Sequence, residues 1–145
     1  MYKLPRLLDI NAKSTLFRDS KKLLVASRCL ETEKPWLIEE FKKKGYIVVT
    51  ACPEAEHVNM LGFKLCGILA RCSFEEIAVL SVDGSMHCTQ LHWMLEEVFK
   101  IVKPGAQRRH FVVYEGDVVE VSEKTVKYSR YLAKVERLTS EKREK

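Results

Sequence analysis

The chain has 145 residues, a net charge of +5 at pH 7, 46% apolar and 31% charged residues, and five cysteines. That length suits one domain with a proper core and is too short to expect two, and the composition is that of a globular protein rather than a disordered one. No apolar run reaches the length of a membrane span, and the opening MYKLPRLLDI lacks a signal-peptide core, so a cytoplasmic protein with no membrane partner is expected.

Residues 1–20 show no sustained period, and Pro5 interrupts their start, so they are expected to be irregular. From residue 21 strands and helices alternate. Lys22 to Cys29 has the continuous apolar centre of a strand buried on both faces. Pro35 opens a helix and Gly45 closes it, with Leu37, Ile38 and Phe41 as its core stripe. Tyr46 to Ala51 reads as a second strand. A second helix runs from about Glu56 to Cys72, where Val58, Leu61, Leu65, Ile68, Leu69 and Cys72 recur at helical spacing. Ile77 to Val82 is a third strand. Ser85 is the expected N-cap of a third helix, whose stripe is Cys88, Leu91, Leu95, Val98 and Val102. Lys103-Pro104-Gly105 ends it. His110 to Tyr114 is a fourth strand, and Glu115-Gly116-Asp117 turns the chain into Val118 to Val121 as a hairpin partner. A last helix, capped by Ser122, is expected to run to about Leu138, with a charged, fraying tail over 139–145.

This alternation implies right-handed crossovers and a single α/β domain over residues 1–145. The expected fold class is a three-layer α/β/α sandwich, flavodoxin-like or Rossmann-like. Its mostly parallel sheet has the strand order 2-1-3-4 and an edge hairpin beyond the fourth strand.

In such a sheet, ligands bind outside the carboxyl ends of the strands at the switch point, here between the first and third strands. Three loops converge there, 27–31, 51–57 and 83–88, and each brings a cysteine: Cys29, Cys52 and Cys88. In the third loop Asp83 ends a strand, Gly84 allows a tight turn and Ser85 opens a helix. Free N–H groups at a helix start hold anions, so Asp83, Gly84, Ser85 and His87 are expected to bind a small anionic ligand. The same helix start favours a thiolate at Cys88, and His92, four residues on, lies within reach of it. Cys88 and His92 are therefore the expected catalytic pair. Cys29 and Cys52 are the expected metal ligands, with His57 beside them; with Cys88, the ligand types match a Cys3His zinc site, although no C-x2-C pair is present. If the first two strands are neighbours, Cys29 and Cys52 face each other across one strand gap, as a redox pair or as co-ligands. The alternative is that the thiols are inert, since free cysteine is among the most buried residue types. Cys66 and Cys72 read as structural. His110, at the start of the fourth strand, is expected at the far edge of the sheet and outside the site. No G-x-G-x-x-G and no G-x-x-x-x-G-K-[ST] occurs, so the usual dinucleotide and P-loop readings lack their glycines.

Basic residues fall in separate clusters interleaved with acids, whereas a nucleic-acid binder gathers its charge on one face, so no nucleic acid is expected as partner. Sixteen Glu and sixteen Lys stand against four Asp, two Asn and two Gln, the Lys/Glu-rich, amide-poor balance of thermophile proteins. Phe63 and Trp93 point away from their core stripes, which implies a homo-oligomer, a dimer in the simplest case. Two readings of different class follow. One is a cysteine-lined ligand, metal or redox site at the strand ends. The other is a non-catalytic binding or protein-interaction module.

The stretches AVLSVDGSMHCTQLHWMLEEV and RRHFVVYEGDVVEVS resemble a group of small α/β proteins from thermophilic microbes that carry loose labels relating them to iron–sulfur ferredoxins. The resemblance covers the first strand to the last helix. It implies a redox neighbourhood and a redox protein partner. The clustered cysteines of a ferredoxin are absent, so any cluster belongs to a partner or to a fused domain in relatives.

Overall fold

Leu23, Leu24, Val25 and Ala26 are all fully buried, which a strand achieves only when both faces of its sheet are covered. In the computed structural model, which describes residues 2–143, they form the centre of β1 (Lys22–Ser27). β2 (Tyr46–Ala51), β3 (Glu76–Val82) and β4 (Gln107–Tyr114) run parallel to it, and β5 (Asp117–Val121) closes one edge as an antiparallel hairpin. The order is β2-β1-β3-β4-β5, as the alternation of elements implies.

Helices cover both faces. α1 (Thr15–Arg18), α2 (Leu30–Glu33) and α3 (Pro35–Lys43) are followed by α4 (Val58–Arg71), α5 (Thr89–Val102), α6 (Glu123–Tyr128) and α7 (Leu132–Arg143). Alternation along each strand sorts the core in two. Leu23, Val25, Val49, Ile77 and Val79 pack against α4 and α5. Leu24, Ala26, Val48, Ala78 and Leu80 pack against α3. Gly45, at φ +96, takes the left-handed turn after α3 that a side chain would strain.

Several boundaries differ from expectation, and β4 starts three residues early, at Gln107. β1 stops at Ser27, and Cys29 lies outside it as the cap of the one-turn α2. α5 begins at Thr89 rather than at Ser85, although the Ser85 hydroxyl does accept the Cys88 N–H at 3.2 Å, so the capping bond forms one turn early. The last helix is broken at residues 129–131 into two, α6 packed on α5 and α7 following it. The tail over 139–145 is helical as far as Arg143, and its last two residues lie outside the described residues.

Residues 1–20 are not idle. Leu7, in a 3-10 turn over Leu7–Asp9, and Phe17 of α1 are fully buried in the core beneath α4. The Thr50 N–H donates to the Pro5 carbonyl at 2.9 Å, and Arg6 makes a parallel bridge with Thr50. The segment thereby covers the open edge of β2, which left bare would invite pairing with another chain.

Candidate functional site

The loop 83–88 leaves β3 at the switch point between β1 and β3, as expected. The Asp83 N–H continues the ladder to the Val113 carbonyl at 3.1 Å, then Gly84, at φ +89, turns the chain. The Ser85 carbonyl accepts both the Thr89 N–H at 3.2 Å and the Thr89 hydroxyl at 2.9 Å. Among the described residues, the N–H groups of Gly84, Met86 and His87 find no partner within the chain. Asp83 and Gly84 are exposed, as is the Met86 side chain. The Ser85 N–H between them is taken by the Val82 carbonyl at 3.4 Å, which leaves three free donors around a left-handed turn, an arrangement that suits an anion.

Cys88 closes the inner side of this loop. The buried Ser27 hydroxyl at the end of β1 donates to its sulfur at 3.1 Å, tying the two strand ends together. His92 does not turn to it. Both ring nitrogens of His92 are engaged elsewhere, so the expected Cys88–His92 pair does not form.

Among the described residues the other thiols form no bonded pair. All five cysteines are free. The Cys29 thiol is pushed above its ordinary range, first by burial and then by Cys88, Glu33 and Cys52, which share that end of the sheet. A raised thiol stays protonated at neutral pH and is a poor nucleophile and ligand. Register is part of the cause. Ala51 lies beside Ser27, so Cys52 follows it opposite Arg28, while Cys29 has already entered α2. The Cys52 N–H donates to Glu56 Oε1 at 2.9 Å, and that oxygen pairs with Arg28 Nη2 at 2.6 Å. His57 is exposed and caps α4, its Nδ1 accepting the Asn59 N–H at 3.2 Å. Among the described residues no three His, Cys, Asp or Glu side chains are arranged to hold a metal, so the expected set of Cys29, Cys52 and His57 is not assembled.

The most ordered polar cluster was not anticipated. Ser81 on β3, His92 on α5 and His110 on β4 are all buried. Ser81 Oγ lies 2.6 Å from His92 Nε2, His92 Nδ1 lies 2.9 Å from His110 Nδ1, and His110 Nε2 lies 2.7 Å from Glu96 Oε2. Arg108 joins the far end, donating from Nε to Glu96 Oε2 and from Nη2 to Glu123 Oε2, each at 2.7 Å. The proton positions follow from the ends inward. Glu96 Oε2, which already accepts the Arg108 Nε–H, also takes the His110 Nε2–H. A neutral His110 then has only Nδ1 to accept with, so His92 donates from its Nδ1 and accepts the Ser81 hydroxyl at Nε2. Burial, and then His110, hold the His92 imidazole down to about 3. Burial also lowers His110, against the pull of Glu96.

His110 was placed at the far edge of the sheet and outside the site. It is instead the fourth residue of β4, and β5 makes β4 an interior strand. A signal was present in the chain: Ser81 and His110 occupy core-facing strand positions, and His92 shares the stripe of Leu91 and Leu95. Three polar residues at core positions must satisfy one another or water.

Phe63 is 82% exposed, as its outward position implied. Trp93 is half-buried instead, because its indole N–H donates to the Ser129 hydroxyl at 2.9 Å and the α6–α7 connection covers it. Together with Gly62, Met94 and Ile101 they line an apolar groove of about 630 Å3 between α4 and α5.

A model of the Rossmann-like domain family matches residues 15–144. No curated protein and no solved structure matches the chain. The match does not extend to the ferredoxin relationship that the resemblance implied. Among the described residues no helix is long and apolar enough to cross a membrane. Strand order, parallel register and helices on both faces agree with the match, which spans nearly the whole sheet and its cover: the chain belongs to the Rossmann-like domain family.

Proposed function

We propose that this protein binds a small anionic molecule at the carboxyl end of its sheet, in the crevice between β1 and β3. The observation that carries the reading is the set of unpartnered N–H groups of Gly84, Met86 and His87, at the switch point where open α/β sheets take their ligands. Cys88, held by Ser27 and by the Ser85 cap, walls the crevice. Asp83 and His87 at the rim would choose among anions by charge and hydrogen bonding. The test is amide chemical-shift mapping with inorganic phosphate and with acetate. Amides of residues 84–88 are expected to move in a saturable way, and Gly84→Val, strained at φ +89, is expected to abolish the response. Unmoved amides at millimolar anion would end the reading.

A second reading, self-association through the α4–α5 groove, is favoured by one observation. Phe63 and Ile101, which both line the groove, are 82% and 65% exposed. Sedimentation at micromolar concentration is expected to show a dimer that Phe63→Glu dissociates. A monomeric wild-type chain would exclude it.

A further inference from the structure

We infer that Ser81 is the nucleophile of a second, acyl-transferring site, with His92 as its base and His110 and Glu96 as positioning residues behind it. The inference rests on a different set of atoms from the anion site and stands without it. Three observations converge. The Ser81 hydroxyl has one acceptor, His92 Nε2 at 2.6 Å, so its proton is already directed at a base. The opposite nitrogen of that base is fixed in the donating tautomer by His110, which Glu96 fixes in turn. A cavity of about 110 Å3 opens beside the pair, bounded among others by Ser81, Asp83, Thr89, His92, Val112 and Val126. A buried serine and two buried histidines needed only to satisfy one another do not require a cavity at the hydroxyl.

The two-histidine chain solves a problem of charge. A proton arriving on His92 alone would create an imidazolium in an apolar setting with no counter-ion beside it. If His92 passes its Nδ1 proton on to His110 Nδ1, the positive charge settles instead on the ring that already faces the Glu96 carboxylate at 2.7 Å. Arg108, paired with both Glu96 and Glu123, holds the Glu96 carboxylate against His110.

The cavity limits the substrate class. Water occupies about 30 Å3 per molecule in the liquid, so the space takes about three to four such volumes. That fits an acyl group of two to four heavy atoms, with the leaving group directed past exposed Asp83 to solvent. The substrate is a short-chain acyl ester. Ser81 Oγ bonds to the acyl carbon as its proton moves to His92 Nε2. The bond from acyl carbon to the alkoxy oxygen breaks, and the alcohol leaves with that proton. Water then adds to the acyl carbon, giving its proton to His92, and Ser81 Oγ departs and recovers it. The balance is ester plus water to carboxylic acid plus alcohol. The hydroxyls of Thr89, Thr125 and Ser129 around the cavity are already bonded to the chain, so the expected acceleration is that of general-base catalysis alone, by a base held well below neutral, and lies at the low end, about 10²-fold.

The test uses the intact chain, p-nitrophenyl acetate, and a short-chain alkyl fluorophosphonate, which labels activated serines and spares the five thiols. Peptide mapping is expected to find both labels on Ser81. Ser81→Ala should lose them, and His92→Gln should slow labelling by about 10²-fold. Glu96→Gln should slow it less. It should also move the acid limb of the rate profile to lower pH, because His110 loses its counter-charge; a merely structural Glu96 would leave that limb in place. p-Nitrophenyl octanoate is expected not to label Ser81. The proposal is overturned if Ser81 of the folded wild-type chain stays unmodified by both probes, or if His92→Gln, shown folded by its thermal transition, labels at the wild-type rate.

Discussion

Lowering the pH should destabilise this fold through the buried histidine pair before its carboxylates are exhausted. His92 has an ordinary value of 6.5 when unfolded and is held down to about 3 when folded. Between those values the unfolded chain binds the proton and the folded chain does not, so stability falls as pH falls through that window. At one pKa unit per 1.36 kcal/mol, His92 alone removes about 3 kcal/mol between pH 7 and pH 4. His110, also lowered, acts in the same direction, partly offset by Glu96. The groups facing the pair are Ser81 from β3, Glu96 from the same helix and Arg108 from β4, with Glu123 of α6 behind them. The assay is the urea midpoint of the wild-type chain and of His92→Gln at intervals from pH 7.5 to pH 4. Asp9 and Glu120, held low by Arg6 and Arg109, titrate in both proteins and cancel in the difference. The wild-type advantage should shrink by about 3 kcal/mol across the window. Two curves that stay parallel from pH 7 to pH 4 would refute the account of the pair as neutral and buried.

Phe17→Ala should cost about 3–5 kcal/mol in chemical denaturation, because the ring is fully buried beneath α4; a cost under about 1 kcal/mol would mean the N-terminal segment is not part of the core. Gly67→Ala should raise stability by up to about 1 kcal/mol, since the position is helical and the added methyl would meet only the tip of the Arg71 side chain at 3.5 Å. A thermal melt that falls instead would show that α4 needs this glycine for a contact. Unfolded, non-reduced protein should titrate with five thiols, and any smaller number would reveal a disulfide.

Much of this molecule is legible in its local pattern. The apolar centres at 23–26, 46–51 and 77–82 and the stripes of α3, α4 and α5 each repeat at the period of one element type. Alternating elements joined by short crossovers leave few topologies, so strand order and the hairpin edge follow. The loop at 83–88 was legible for the same reason, because a strand end, a glycine and a capping serine are adjacent in the chain. Patterns of this kind state which face of an element is buried. They do not state what it meets there.

Partners across elements were decided only in three dimensions. Cys29 and Cys52 end neighbouring segments, yet a two-residue difference in where β1 stops makes Cys29 the cap of α2 while Cys52 directly follows β2. His92 lies at helical spacing from Cys88, but its ring pairs with Ser81, 11 residues away, and with His110, 18 residues away. Leu7 and Phe17 carry no period at all, because a segment that drapes over a core meets it residue by residue rather than as a repeating face. Periodicity is a property of the backbone and is written along the chain. Hydrogen-bond partners between a strand and the helix laid across it depend on register and packing, which no single stretch of residues contains.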